Sequence, residues 1–289
     1  MIQQKIDNVK VLLEALPYIK DFHSKTVVIK YGGSLMVDED LKRKFALDIV
    51  LLKYVGMNPV IVHGGGKEIS KWMHKMGKES VFIDGLRVTD SETMEITEMV
   101  LSGKINSELV SLINSGGGRA VGLSGKDADL FHAKKMAAEP NKDLGFVGTV
   151  KEVDVRLLNT LADQGYIPVI SSVARSKDGD TLNLNADHVA SEIAAKLGAE
   201  KLIYLTDVDG IKIDGEFQGV LSQAQARGLL SHDDITGGMI PKLECSLSAL
   251  RQYVKQVHII NGAVEHAVLL EVFTDEGIGT MIKVGDTTS

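Results

Sequence analysis

Cysteine is nearly absent from this 289-residue chain, in which Cys245 stands alone. It can neither close an internal disulfide nor belong to a cysteine-based metal site, the usage expected in a reducing cytoplasm. Positive charge is also in short supply. The 32 Lys and Arg are outnumbered by 39 Asp and Glu, giving a net charge of −7. No basic patch or run of interleaved aromatics occurs, which argues against nucleic acid or an anionic membrane as main partner. No apolar run approaches the roughly 18 residues of a membrane span, and the first residues lack the pattern of a secretory leader. The five prolines form no linker, and no repeat or low-complexity tract is visible. Both of the commonest phosphate loops, G-x-x-x-x-G-K-[ST] and G-x-G-x-x-G, are missing.

What the chain carries instead is three glycine clusters with lysines: Lys30-Tyr31-Gly32-Gly33, His63-Gly64-Gly65-Gly66 and Gly237-Gly238-Met239-Ile240-Pro241-Lys242. The first two each follow a β-branched run and precede a helical pattern. Exposed backbone N–H groups and a helix dipole collect anions at such places. The layout predicts a phosphate site where separate loops converge and two distant lysines supply the charge. A local cluster of Lys and Arg would draw an anionic substrate into this acidic chain.

Periodicity organises the rest. Ile6, Val9, Leu12, Leu13, Leu16 and Ile19 recur at helical spacing, predicting an amphipathic helix over 3–22 that Pro17 kinks or ends. Strands are expected at 26–30, 59–63, 119–123, 167–171, 201–205, 257–260 and 280–284. Helices are expected at 38–54, 67–76, 91–101, 104–114, 155–164, 186–197, 222–229, 239–255 and 265–272. The stretch 124–154 reads as inserted hairpins. Apolar strands alternating with helices imply an α/β fold with an open, mainly parallel sheet covered on both faces. In such sheets ligands bind beyond the carboxyl ends of the strands, where Lys30, His63 to Gly66 and the Asp207-Val208-Asp209-Gly210 turn fall. A lobe boundary is placed near Gly198 and Ala199, dividing the chain into a helix (1–24), an N-lobe (25–198) and a C-lobe (199–289).

Each candidate residue has a plain alternative. Lys30 alone would be a solvated strand-end charge, but the glycines after it let backbone approach a phosphate. His63 reads as a structural strand-end histidine. Arg87, in Gly85-Leu86-Arg87-Val88-Thr89, either pairs with Asp84 or Asp90 or grips a substrate carboxylate bidentately. In Asn183-Leu184-Asn185-Ala186-Asp187, Asn185 is expected to cap the following helix and Asp187 suits its dipole, yet three polar residues exceed what one cap requires. Asp207 to Gly210 does not match a calcium loop. Lys242 sits near a helix start against the dipole, a misfit of the kind that concentrates at sites. Cys245 reads as a buried helix residue, because no partner base is evident.

With these motifs in this order, residues 25–285 resemble the amino acid kinase family, and are similar to its members that phosphorylate N-acetyl-L-glutamate in arginine biosynthesis. The resemblance rests on Ile29 to Gly33, Ile61 to Gly66, Gly85 to Thr89, Asn183 to Asp187, Leu205 to Gly210 and Thr236 to Lys242. It implies transfer of a phosphoryl group from ATP to a side-chain carboxylate, giving an acyl phosphate. Lys30 and Lys242 would flank that group, with Asp187 orienting both. Gly32, Gly33 and Gly65 would line its oxygens, Gly33 and Gly65 through their N–H groups. Gly65, Gly66, Arg87 and Asn183 would hold the acceptor. Asp207, Asp209, Gly210, Gly237, Gly238 and Met239 would lie along the nucleotide, and Mg²⁺ would be held mainly by phosphates. A carboxylate acceptor is already ionised near neutrality, so no general base is needed.

The arginine-inhibited members carry a similar N-terminal helix and tail, here His266 to Glu271 and Phe273 to Thr280. This implies a hexamer built from three dimers and an L-arginine site involving His266, Glu276 and Gly277. Kinases of aspartate, glutamate, carbamate or UMP share the phosphate loops. A non-catalytic relative or an acetyltransferase with a kinase-like domain is a further alternative. The latter calls for an additional C-terminal domain, and the sequence ends at Ser289, shortly after its last expected strand.

Overall fold

The computed structural model describes residues 2–36, 38–137, 143–274 and 277–285. Helix α1 (Ile2–Phe22) leads into β1 (Thr26–Tyr31), α2 (Glu39–Tyr54), β2 (Asn58–His63) and α3 (Gly66–Lys75). A hairpin of β3 (Phe82–Ile83) and β4 (Leu86–Arg87) precedes α4 (Ser91–Glu98), which passes through a π-helical segment, Met99–Ile105, into α5 (Asn106–Ser115). Then come β5 (Ala120–Leu123), β6 (Phe131–Lys135), β7 (Val147–Val153), α6 (Arg156–Asp163), β8 (Ile167–Ser171), β9 (Val173–Ser176) and β10 (Thr181–Leu184). The remainder is α7 (Ala186–Leu197), β11 (Lys201–Thr206), β12 (Lys212–Ile213), β13 (Glu216–Phe217), β14 (Val220–Ser222), α8 (Gln223–Gly228), α9 (Met239–Arg251), β15 (Gln256–Asn261), α10 (Ala267–Phe273) and β16 (Thr280–Lys283).

Eight strands form the central sheet in the order β14-β16-β15-β11-β1-β2-β8-β5. Every neighbouring pair is parallel except β15 with β16. The strands are apolar at nearly every position because both faces are covered. Val27, Ile29 and Tyr31 of β1 join the core beneath α2, α5 and α10. Val28 joins the opposite core with Val189 and Ile193 of α7 and Leu243 and Leu247 of α9. Side chains alternate along a strand, so Lys30 shares Val28's face and points toward α7. A second unit, the closed sheet β10-β7-β6-β9, is built from two excursions, β6 and β7 before central strand β8 and β9 and β10 after it.

Several expectations are corrected. Pro17 lies inside α1, which continues to Phe22. The helices expected at 91–101 and 104–114 are one rod, because the π segment carries the chain through Gly103 without a break. The helix expected to reach 255 stops at Arg251, and Arg87 lies on a short strand that was not expected. The β9–β10 pair, the β12–β13 hairpin and β14 were not anticipated.

Candidate active site

Asp187 stands in the first turn of α7, whose start is capped by Asn185: its Oδ1 accepts the N–H groups of Asp187 (2.8 Å) and His188 (3.3 Å). The cap fixes where the helix begins and so where the Asp187 carboxylate points. Lys242 of α9 donates from Nζ to Asp187 Oδ2 at 2.6 Å. Lys30 of β1 brings Nζ within 3.0 Å of Oδ1, an ion pair without the alignment of a hydrogen bond. The three side chains are 13% (Lys30), 7% (Asp187) and 15% (Lys242) exposed. Burial alone would raise the Asp187 pKa. The two ammonium groups outweigh it, and the carboxyl is held below its ordinary value.

Two clefts meet at this triad. One, of about 330 Å³, is lined by Lys30, Gly32, Gly33, Gly65, Gly66, Arg87, Asn183 and Asp187. The other, of about 550 Å³, is lined by Asp207, Asp209, Gly210, Gly238, Met239 and Lys242. Both fall in the size range of small-ligand sites. The sequence candidates for acceptor, phosphate and nucleotide thus gather in two adjoining spaces. Gly237 is an exception, outside the described lining of the second cleft, in a left-handed turn with φ 53°.

The loops touch across the junction. Gly33 has φ 74°, a left-handed conformation that favours glycine, and a Cβ there would crowd the Asp207 carboxylate of the facing turn. Helices α3 and α9 start at Gly65 and Gly238 without side-chain caps, leaving their first N–H groups for an external acceptor.

Arg87 is buried and pairs with neither Asp84 nor Asp90 in the described contacts. Nη2 donates to the Gly66 carbonyl and Ser70 Oγ, both at 2.8 Å, and Nη1 donates to Ser80 Oγ at 2.6 Å. Its guanidinium also stacks on the Phe82 ring, 4.7 Å from the centroid. Arg87 therefore pins the start of α3 while lining the first cleft. Asn183, on β10, reaches Thr89 Oγ1 at 3.4 Å. His63 is fully buried between the Gly64 carbonyl (3.1 Å from Nδ1) and the Asn106 amide (3.0 Å from Nε2), and burial pushes its pKa down to about 4. It is a neutral structural residue. Cys245 is inert as well, its thiol pushed up to about 12 by burial.

His266 and Gly277 flank α10, one at each end. His266 precedes α10 and sets Nδ1 2.5 Å from Asp48 Oδ1, while Gly277 follows that helix, about 10 Å long, and backs onto the Glu271 carboxylate. Glu276 lies outside the described residues.

Lys67, Phe82, Leu86, Val147 and Ser172 also line the first cleft and were not singled out. Lys67 had a signal, since it opens α3 against the dipole just as Lys242 does in α9. Val147 and Ser172 had none, because they arrive through the closed sheet.

The chain is similar to known proteins over most of its length. Residues 25–261 match the model of the amino acid kinase family. The chain is 56% identical to an acetylglutamate kinase of Kosmotoga olearia, over 96% of this chain and 98% of that one. It is 53% identical to an acetylglutamate kinase of Nostoc punctiforme, over 99% and 97%. Among solved structures, it is similar to N-acetylglutamate synthase from Neisseria gonorrhoeae complexed with coenzyme A and N-acetyl-glutamate. There the TM-score is 0.87 at 29% identity over 97% of this chain, which spans only 64% of the synthase. The same synthase complexed with coenzyme A and L-arginine gives 0.82 at 27% identity, with 96% of this chain and 65% of the synthase covered. Because the family match spans both clefts and the relatives at 56% and 53% identity are covered almost end to end, this chain belongs to the amino acid kinase family and is a kinase.

Proposed function

We propose that the protein transfers the γ-phosphoryl group of ATP to the side-chain carboxylate of N-acetyl-L-glutamate, a step of arginine biosynthesis in the cytoplasm. The observation that carries this reading is Asp187 holding Lys30 and Lys242 at the junction of two clefts. Full-length similarity of 50–56% to acetylglutamate kinases supports the choice of acceptor. The acceptor occupies the cleft of Gly65, Gly66, Arg87 and Asn183, and Arg87 takes its α-carboxylate by exchanging serine partners. The nucleotide lies along Asp207, Asp209, Gly210, Gly237, Gly238 and Met239. The acceptor cleft belongs to an N-lobe (25–198) and the nucleotide cleft to a C-lobe (199–289).

In-line transfer brings two anions together and spreads charge over the equatorial oxygens. Lys30, Lys242 and the N–H groups of Gly33 and Gly65 offset that charge, and Gly32 keeps the turn open. Asp187 stays ionised and orients both lysines. Because two ammonium groups occupy Asp187, the donor set fits a Mg²⁺ ion held mainly by phosphates, where it would neutralise charge on the triphosphate. A coupled ADP-release assay tests the reading, with N-acetyl-L-glutamate against glutamate, aspartate, carbamate and UMP. Turnover of any rival above N-acetyl-L-glutamate would reject it.

The quaternary proposal is a hexamer of three dimers inhibited by L-arginine. Val9, Leu13 and Leu16 of α1 and Leu47, Leu51 and Tyr54 of α2 each form an exposed apolar row at helical spacing, the kind of face that covers another subunit. Arginine would sit between α1 and the tail near His266, Glu276 and Gly277. The structurally related synthase supports this, because it is described bound to L-arginine. Glu271 is a described carboxylate in that region beside Asp48, accepting from His258 (2.5 Å) and the Ile278 N–H (2.7 Å), with Lys201 stacked under Phe22 at the end of α1.

A further inference from the structure

We propose that Lys67 is a third phosphate-binding lysine that reads the triphosphate of the nucleotide, with Asp207 holding it in place beforehand. The proposal rests on the phosphoryl-transfer reading above. Lys67 directly follows Gly64-Gly65-Gly66 and is the second residue of α3, where the helix dipole opposes a cation and no side chain caps the helix. A lysine tolerated there has a use for its charge beyond the helix. Its side chain lines the acceptor cleft, yet its Nζ lies 3.5 Å from Oδ2 of Asp207, a residue of the nucleotide cleft. Lys67 thus links the lining of the first cleft to that of the second.

Asp207 in turn lies against Gly33, whose N–H is assigned to the phosphoryl oxygens. The ammonium of Lys67 is thereby anchored beside the turn that the transferring group must pass. Lys67 and Asp207 are 66% and 49% exposed, so their ion pair adds little stability and Lys67 can change partner cheaply. A triphosphate entering the second cleft would otherwise meet the Asp207 carboxylate at close range. Lys67 reduces that repulsion and offers three donors of its own. The arrangement repeats the logic of Asp187: a carboxylate sets a lysine against the phosphate path. Here the pair is solvent-facing and exchangeable.

The test is direct binding of ATP and of AMP to the purified full-length protein, together with steady-state kinetics. Lys67→Gln should weaken ATP binding about five- to tenfold, the scale of one charge-assisted contact, and leave AMP binding and the KM for N-acetyl-L-glutamate unchanged. Lys67→Arg should retain ATP affinity. Unchanged ATP affinity in Lys67→Gln, an equal loss for AMP, or a rise in acceptor KM in place of the ATP effect would each overturn the proposal. If the wild-type protein turned over no carboxylate acceptor, the phosphoryl-transfer reading would fail separately, while the ATP and AMP comparison would still decide the role of Lys67.

Discussion

Lys242 Nζ lies 2.6 Å from Asp187 Oδ2 across 55 positions of sequence, and that contact ties the start of α9 to the start of α7. The same carboxylate reaches Lys30 on β1, so one buried anion joins the sheet to two helices.

Replacing either Lys30 or Lys242 with Ala should lower kcat by about 10² or more, the scale of a lost electrostatic donor, with a smaller change in KM. Asp187→Asn should be worse in a second respect. It leaves two largely buried ammonium groups without their counter-charge, at a cost of about 3 kcal/mol in folding stability. Stopped assays and thermal melts separate the two effects. Near-normal kcat in both lysine variants would remove them from the chemistry.

Arg87→Lys keeps the charge and loses the planar fork. KM for the acceptor should rise while KM for ATP holds. An arginine paired only with Asp84 or Asp90 at the surface could be replaced with the melting temperature almost unmoved. The bonds to Gly66, Ser70 and Ser80 change that expectation, and a loss of about 1–3 kcal/mol should accompany the kinetic effect. Equal rises in both KM values would point to a general disturbance of the fold.

His63 supplies a pH signature. Burial lowers its folded pKa to about 4, below the ordinary 6.5 of the unfolded chain. The unfolded state therefore binds the proton first as pH falls. The stability that this group contributes is fully present above pH 6.5 and is lost progressively down to about pH 4, amounting to about 3 kcal/mol. In His63→Gln the unfolding free energy should be flatter over that window. A parallel pH dependence in both proteins would refute the assignment.

Removing residues 1–22 should convert the proposed hexamer into active dimers that L-arginine no longer inhibits, because an isolated helix of this length gains its order from the subunit it covers. Light scattering and inhibition curves report the two consequences independently. An unchanged hexamer, or a full-length enzyme indifferent to millimolar arginine, would reject the arrangement.

The central sheet was legible because its strands are buried on both faces and read as unbroken apolar runs, as in Val27-Val28-Ile29 and Leu202-Ile203-Tyr204. Lys30 and Lys242, which the structure brings to one carboxylate, were singled out on different grounds, Lys30 by the glycines that follow it and Lys242 by its conflict with the helix dipole. The small hairpins escaped notice although two of them carry an Asp-Gly signal. Asp84-Gly85 and Asp214-Gly215 have positive φ at both residues, the backbone of a two-residue hairpin turn. Their strands are only two residues long, too short for alternation to register. The partners of Arg87 could not be foreseen at all, because Ser70 and Ser80 reach it only after α3 and β4 have packed.

The π segment between α4 and α5 sets the phase of everything beyond it. Asn106, its first α-helical successor, faces inward and donates to His63 Nε2 and the Val169 carbonyl, while Leu101 and Ile105 press against the missing side chain of Gly65. A straight α-helix turns about 100° per residue and the π segment already holds one residue more than α-helical turns would, so deleting one residue from 102–104 would leave Asn106 facing the sheet, whereas inserting one there would swing Asn106 away and bring Ile105 toward its place. The angular position of α5 is thus counted out by chain length. A single-codon insertion in this segment would act on the glycine turn of the active site while changing none of the residues that line it.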